Sequence, residues 1–271
     1  MNDSVHGAAR GALLIDDPEE KCRATEALAA AWTDGRLQVV AGMDDPEPLQ
    51  VPGRPVRPEL VPPQTLPRRR AGTPEGHAAL VHAIAHIEFN AINLALDCVA
   101  RYRSFPADFH GGWVQVAVEE ARHFTMLNAR LADLGFAYGD FPAHNGLWEM
   151  ACRTATDPLA RMALVPRVLE ARGLDATPLI MNKLRSIGDE ASVAILEIIL
   201  REEVGHVALG DRWFRTLCAR RGLEPEQTYM EMIAHFDAPW PIPPLHEEAR
   251  LAAGFSRAEL QRLAQGAPRD D

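Results

Sequence analysis

Two five-residue strings in this sequence place glutamate and histidine where they could bind a metal ion. They are Glu119-Glu120-Ala121-Arg122-His123 and Glu202-Glu203-Val204-Gly205-His206. On a helix, residues three apart share a face, so the second glutamate and the histidine of each string can address one ion. Four Glu-Glu pairs occur in the chain, and chance would complete two of them with histidine at this spacing in about one sequence in a hundred.

Two further glutamates precede these strings at matching distances. Glu88 precedes Glu120 by 32 residues, and Glu170 precedes Glu203 by 33. Glu88 has only apolar neighbours on its helical stripe, and a buried carboxylate is costly unless it is paired or metal-bound. The sequence therefore predicts two copies of one helical hairpin. Together they would bring six ligands to one point: Glu88, Glu120, His123, Glu170, Glu203 and His206.

The first glutamate of each string has more than one interpretation. Glu119 and Glu202 could be surface residues, or each could accept the free ring N–H of the histidine on the opposite helix and so fix its tautomer. We prefer the second interpretation. An exchange of roles, with Glu202 rather than Glu203 as the ligand, also stays open. His82 and His86 could form a second metal site, but packed histidines are the stronger expectation.

Helical patterns predict the elements that must position these residues. Caps and prolines predict a short helix from Asp16 to about Trp32 and long helices over 73–102, 106–134, 157–186 and 189–221. Pro166 and Gly173 predict a kink or break in the fourth of these five helices. Short helices are expected near 225–236 and 256–265, and no period-2 alternation indicates strands. The sequence therefore predicts an all-α protein.

Proline divides the chain into three expected regions. Nine prolines between positions 46 and 74 exclude a helix or a central strand and predict an extended strap. We expect an N-terminal helix and this strap over residues 1–72, the long helices over 73–222, and a tail with short helices over 223–271. The strap would pack on the helices.

The site resembles that of a known class of metalloproteins. The six ligands resemble those of the ferritin-like di-iron carboxylate proteins. Longer strings between residues 50 and 255 resemble a bacterial ferritin-like family catalogued as domain of unknown function 455, among them His86-Ile87-Glu88, Tyr138-Gly139-Asp140-Phe141-Pro142-Ala143-His144, Glu170-Ala171-Arg172-Gly173-Leu174-Asp175 and Gly210-Asp211-Arg212-Trp213-Phe214. The resemblance implies a ferritin-like four-helix bundle in which Glu120 and Glu203 bridge two metal ions. Glu88 with His123 would then complete one ion, and Glu170 with His206 the other.

Oxygen and nitrogen ligands favour two iron ions, with a mixed manganese–iron pair as the alternative. The first expected function is a non-haem di-iron oxidase or oxygenase that uses O₂ on a small organic substrate, with electrons from an external donor. A rubrerythrin-like role in peroxide or iron handling is the second, weakened because the four cysteines form no CxxC pair. A metal-dependent scaffold without enzymatic activity is the third. A tRNA substrate stays open, although a net charge of −10 disfavours a broad nucleic-acid surface.

The composition also bears on the compartment. No uninterrupted apolar run in the sequence reaches the roughly 20 residues that span a bilayer. No secretory signal is visible near Met1. The four scattered cysteines are expected to be reduced thiols. We therefore expect a cytoplasmic protein with no membrane partner.

Overall fold

The computed structural model describes residues 4–40, 45–67 and 69–266. Within these ranges the protein is all-helical, as predicted, with eleven α-helices and no strand. The chain divides into two compact units, Met1–Cys152 and Arg153–Asp271. This division falls within the expected region 73–222, and the three-part organisation of the chain stays a prediction.

The first unit contains four complete α-helices, and a fifth ends at its boundary. Their bounds are α1 Val5–Leu13, α2 Pro18–Thr33, α3 Pro74–Arg101, α4 Ala107–Asp133 and α5 Gly146–Arg153. The two long helices, α3 and α4, pack against each other, while α1 packs on α3 and α2 packs on α4. Asp17 and Thr73 cap α2 and α3 through side-chain oxygens that accept backbone N–H groups.

Helix α3 is long and apolar enough to cross a membrane by length and composition alone. However, 78% of its most apolar 18-residue window is buried in the structure. This degree of burial is typical of a core helix, because a soluble protein must also cover such a surface.

The proline-rich strap lies on the first unit with little regular structure. Its one helical turn is a 3₁₀ turn at Pro63–Thr65. Leu60 and Ala143 form an isolated parallel bridge, and the Trp148 indole donates to the carbonyl of Gln50 at 2.9 Å. At Gly53 an added Cβ would lie 2.4 Å from the carbonyl oxygen of Ile15, so this crossing requires glycine.

Lys21 is fully buried between α1 and α3. Its ammonium donates to the carbonyl of Leu13 at 2.7 Å and to Asn93 Oδ1 at 2.6 Å. Burial lowers the pKa of Lys21 to about 7, because the negative charge of Asp16 offsets only part of the lost hydration. The amine therefore ties α2 to the neighbouring helices through neutral acceptors.

The second unit contains six α-helices and one π-helical segment. They are α6 Pro158–Leu164, the π-helical segment Val165–Glu170, α7 Ala171–Arg185, α8 Glu190–Arg221, α9 Pro225–His235, α10 Glu247–Ala252 and α11 Arg257–Ala264. Helix α8 begins after the cap Asp189 and ends at Gly222, whose φ is 66°. These ends match the prediction from the sequence.

The predicted break in the fourth long helix is the π-helical segment. Pro166 has no N–H to donate to Met162, and its ring would clash with that carbonyl in a regular α-helix. The backbone N–H of Ala171 donates instead to the carbonyl of Pro166, five residues earlier. Helix α7 then continues through Gly173 without interruption. Proline thus causes the break, and glycine does not.

Three short helices, α1, α5 and α10, do not appear among the predicted elements. Helix α1 contains Gly7 and Gly11, which lower its helical propensity. Helices α5 and α10 have eight and six residues, too few for a clear helical period. Tertiary contacts, such as the packing of α1 on α3, stabilise helices of this kind.

Candidate metal centre

Helices α3 and α4 bring three of the predicted ligands together in the first unit. Nδ1 of His123 lies 3.1 Å from Oε2 of Glu88 and 3.3 Å from Oε2 of Glu120. One ligand atom from each of the three residues lies within 4.8 Å of the other two. Glu88 is 3% exposed, and Glu120 and His123 are fully buried. This is a compact cluster of two carboxylates and one imidazole.

The local sequence explains why these polar groups are buried. Glu120 and His123 are one turn apart on α4, between the buried residues Ala117 and Phe124. Glu88 lies on α3 between Ala85 and Ile92, both fully buried. Packing of the two apolar faces carries the carboxylates inside with them. Without a positive partner, burying each carboxylate would cost roughly several kcal/mol.

The imidazole provides the positive charge in the metal-free protein. Burial alone lowers the pKa of His123, but hydrogen bonds and charge from Glu120 and Glu88 outweigh it and raise the pKa to about 11. A protonated His123 beside two carboxylates leaves one net negative charge in the cluster. A divalent cation could replace the proton and neutralise that charge.

Glu119 and Glu120 differ in their surroundings. Glu119 is half-buried and accepts a hydrogen bond from the amide of Gln115 at 2.7 Å. Glu120 is buried and contacts His123. Within the first unit, the second glutamate of the string is therefore the one beside the histidine.

The second unit repeats this arrangement on α8. Nδ1 of His206 lies 3.4 Å from Oε1 of Glu203, and both residues are buried. Oε1 of Glu202 lies 3.7 Å from the guanidinium of Arg201, and its side chain is 17% exposed. Glu170 is half-buried and is the last residue of the π-helical segment.

A second polar group in the first unit surrounds Tyr138. Its hydroxyl lies 2.8 Å from Nδ1 of His86. Its ring packs on Phe89 and Phe124, which directly follow Glu88 and His123 in the sequence. His82 stacks on the same ring and accepts the N–H of Gly139 at 2.9 Å. These two histidines are packed, in line with the stronger expectation.

Burial governs the protonation of this group. It lowers the pKa of His82 and of His86 to about 4, and it raises the pKa of Tyr138 above its ordinary value. All three side chains are therefore neutral near pH 7. Tyr138 was not among the predicted site residues, because it joins the group through a contact between residues 52 positions apart. The motif around Tyr138 was the only signal for it in the sequence.

The donor set of the cluster suits a hard or borderline cation. Two carboxylates and an imidazole are ligands that iron and manganese accept. The four cysteines are free thiols, and none belongs to the cluster. The residues present therefore fit the expected iron site in donor type, burial and charge.

These features define an all-helical protein with a buried carboxylate–histidine cluster that could bind metal ions. The chain belongs to the family described as "Protein of unknown function (DUF455)", whose profile matches residues 14–261. It is 44% identical over 259 residues to an "Uncharacterized protein" of Haemophilus influenzae, covering 92% of this chain and 90% of that protein. No solved structure matches the chain significantly.

Proposed function

We propose that this protein is a ferritin-like, non-haem di-iron oxidase or oxygenase that uses O₂ on a small organic substrate. The observation that carries the proposal is the buried cluster of Glu88, Glu120 and His123. A cytoplasmic location, an external electron donor and two iron ions per chain belong to the same proposal, with a manganese–iron pair as the alternative metal content.

Each unit supplies half of the proposed ligand set. Glu203 and His206 repeat the buried pair of Glu120 and His123, at similar distances between carboxylate and imidazole. Glu170 would add the carboxylate that corresponds to Glu88. In this scheme Glu120 and Glu203 would be shared between the ions. Four carboxylates and two neutral imidazoles would balance the four charges of two Fe(II) ions.

The chain's own residues control what reaches such a site. Two iron ions held by carboxylates and imidazoles can reduce an oxidant by two electrons at a time. Phe89, Phe124 and Tyr138 form an aromatic layer beside the ligands. The rings of Phe89 and Phe124 are buried, and an apolar wall of this kind would help to keep bulk water from a reactive site.

A small cavity lies between the strap and α3. Its walls include Pro52 and Pro58 from the strap and Phe89 and Asn93 from α3. The cavity is just large enough for about one water molecule, and none of Glu88, Glu120 and His123 lines it. An organic substrate would need more space than this cavity offers.

The decisive experiment compares two oxidants on one metal-loaded protein. The purified chain is loaded anaerobically with Fe(II), its metal content is measured, and it is mixed with O₂ or H₂O₂ in a stopped-flow spectrometer. We expect two irons per chain and fast oxidation by O₂. A metabolite extract added before O₂ should yield new oxygenated products.

The other outcomes identify the competing functions. Fast reaction with H₂O₂ and slow reaction with O₂ would favour a rubrerythrin-like role. No reaction with either oxidant, but metal-dependent stability, would leave a scaffold. A chain that binds a single zinc ion or no metal would overturn the di-iron proposal. Glu120→Ala, which lacks a proposed bridging ligand, serves as the negative control.

A further inference from the structure

The π-helical segment at Val165–Glu170 is held by an unusual buried cation. The guanidinium of Arg167 is fully buried among three aromatic rings. Its central carbon lies 4.0 Å from the ring centre of Tyr229, 4.5 Å from that of Phe214 and 4.7 Å from that of Phe255. These rings belong to α8, α9 and the turn before α11, so the cation joins several elements of the second unit.

Carboxylates complete the surroundings of Arg167. Its Nε lies 2.9 Å from Oδ1 of Asp211, and its Nη2 lies close to Oε1 of Glu259. Arg215 pairs with the same two carboxylates, at 2.8 Å from Asp211 and 2.9 Å from Glu259. Two cations and two anions make this buried cluster neutral overall. The opposite charges lie close together, which reduces the cost of burying them, although Nε and Nη1 of Arg167 make no hydrogen bond within the described residues.

The backbone of the segment is also fixed. The hydroxyl of Tyr229 donates to the carbonyl of Arg167 at 2.8 Å. On the other side, the Pro166 ring lies against α8 at Gly210, where an added Cβ would be 2.2 Å from the ring. Gly210 lies one turn beyond His206. The segment is thus fixed to the same helix that carries Glu203 and His206.

The π-helical segment sets the direction in which the Glu170 side chain leaves the helix. One extra residue in a turn rotates all later residues by about 100° relative to a continuing α-helix. Glu170 ends the segment, three residues after Arg167. If the π-helical hydrogen bonds shifted by one residue, the carboxylate would leave the helix in another direction.

We infer that Arg167 is a positioning residue, and that Glu259 and Tyr229 in the C-terminal helices hold it so that Glu170 can bind metal. This inference rests on the proposed di-iron function for its metal-binding consequence. It assigns a role to the tail beyond α8, because α9 and α11 then act on the ligand set without contributing a ligand. The local claim, that these contacts fix residues 165–170, can be tested without metal.

The test compares Glu259→Gln with Asp175→Asn. Glutamine can still serve in the capping box that Glu259 forms with Ser256, so the substitution mainly removes the charge facing Arg167 and Arg215. Asp175 pairs with Arg250 at 2.7 Å, with side chains 9% and 1% exposed, and this pair also joins a C-terminal helix to α7. Asp175→Asn is therefore a matched loss of one buried carboxylate, which pairs with Arg250 rather than with Arg167.

Two measurements are made on each full-length variant: amide hydrogen exchange over residues 165–171 and anaerobic Fe(II) titration. In Glu259→Gln we expect faster exchange in this segment and an affinity for one of the two ions that is lowered by about 10–100-fold. The other ion should bind as in the wild type. Asp175→Asn should change neither quantity, and Glu259→Asp should recover part of the loss.

Tyr229→Phe keeps the test valid if Glu259→Gln does not fold. It removes only the hydroxyl that binds the Arg167 carbonyl, and a smaller change in the same direction is expected. Equal exchange and equal metal affinity in Glu259→Gln, Tyr229→Phe and the wild type would overturn the inference. A wild type that binds no metal would overturn the proposed function instead, and the exchange data would still decide the local claim.

Discussion

Glu119 and Glu120 are neighbours in sequence, but their side chains have different surroundings on α4. Glu120 is buried against His123, whereas Glu119 is half-buried and contacts Gln115. A ligand and a residue that only orients a ligand should respond differently to substitution. The same distinction separates Glu203 from Glu202 on α8.

The metal affinities of four variants test this distinction. Glu120→Ala and Glu203→Ala should each weaken both ions, because each removes a proposed bridge. Glu119→Gln and Glu202→Gln should lower affinity by about 10–100-fold without abolishing it. Isothermal titration with Fe(II) or Mn(II) measures these effects. If Glu202→Gln abolished binding while Glu203→Ala had little effect, the assignment of the ligand on α8 would be wrong.

Buried neutral histidines predict a dependence of stability on pH. Burial lowers the pKa of His82 and of His110 to about 4, while the unfolded value is 6.5. Between these values the unfolded chain binds more protons, so the free energy of unfolding should decrease as the pH falls below 6.5. The decrease is at most about 1.4 kcal/mol per pH unit for each proton taken up.

The groups facing these histidines do not reverse the sign. His110 faces the carbonyl of Phe105, the ring of His6 and the charge of Asp108. His82 faces the rings of Tyr138 and Phe141 and the charges of Asp140 and Arg69. Urea unfolding at pH 7.5, 6.5 and 5.5 measures the effect. His110→Gln should flatten the dependence, and His235→Gln, at an exposed position, should not. A midpoint that rises towards acid pH would contradict the prediction.

At the scale of single elements, helix α8 offers two glycines with opposite roles. Gly222 ends the helix with a φ of 66°, a conformation that alanine adopts only at a cost. Gly205 lies exposed within the helix, and an added Cβ there would meet no atom within 4 Å. Gly222→Ala should therefore destabilise the protein by about 1 kcal/mol. Gly205→Ala should stabilise it by up to about 1 kcal/mol.

Chemical denaturation of the two variants at fixed metal content provides the measurement. Because both changes are Gly to Ala in one helix, differences in the unfolded chain cancel between them. Equal effects of the two substitutions would show that the left-handed end of α8 has no importance for stability.

The long helices could be predicted from the sequence because their signals are local. Asp17, Thr73 and Asp189 stand where caps are needed, and each accepts the expected backbone N–H. The break at Pro166 was also predictable, but its form was not. A π-helical segment needs space for the proline ring, and that space comes from Gly210, 44 residues later.

At the scale of the whole molecule, the candidate site was partly predictable for the same reason. Glu120 and His123 are joined by helical spacing, and Glu88 stands out as an acidic residue among apolar ones. Tyr138 and Arg167 carried no such signal. Their surroundings are built from residues distant in sequence, such as His86 and Glu259, and one sequence does not reveal such contacts.

Metal removal should affect the stability of the entire fold. The cluster buries two carboxylates that a bound cation would neutralise, so the folded state should bind metal far better than the unfolded chain. At a free metal concentration 100 times the dissociation constant, binding would add about 2.7 kcal/mol. Thermal unfolding with and without chelator should show a lower Tm for the stripped protein. A Glu88→Gln, Glu120→Ala double variant should lose most of this difference, and a chelator effect of unchanged size in it would place the metal elsewhere.

Because Lys21 is buried, chemical modification of its side chain would report when the first unit opens. The sequence contains only one other lysine, Lys183, and that residue is exposed. With a pKa of about 7, the Lys21 amine is partly in its nucleophilic form, so its protection against acylating reagents is steric. A reagent for primary amines should therefore modify Lys183 at once and Lys21 only in molecules whose first unit has opened. Peptide mass spectrometry would then give the fraction of molecules that have opened at each time after the reagent is added.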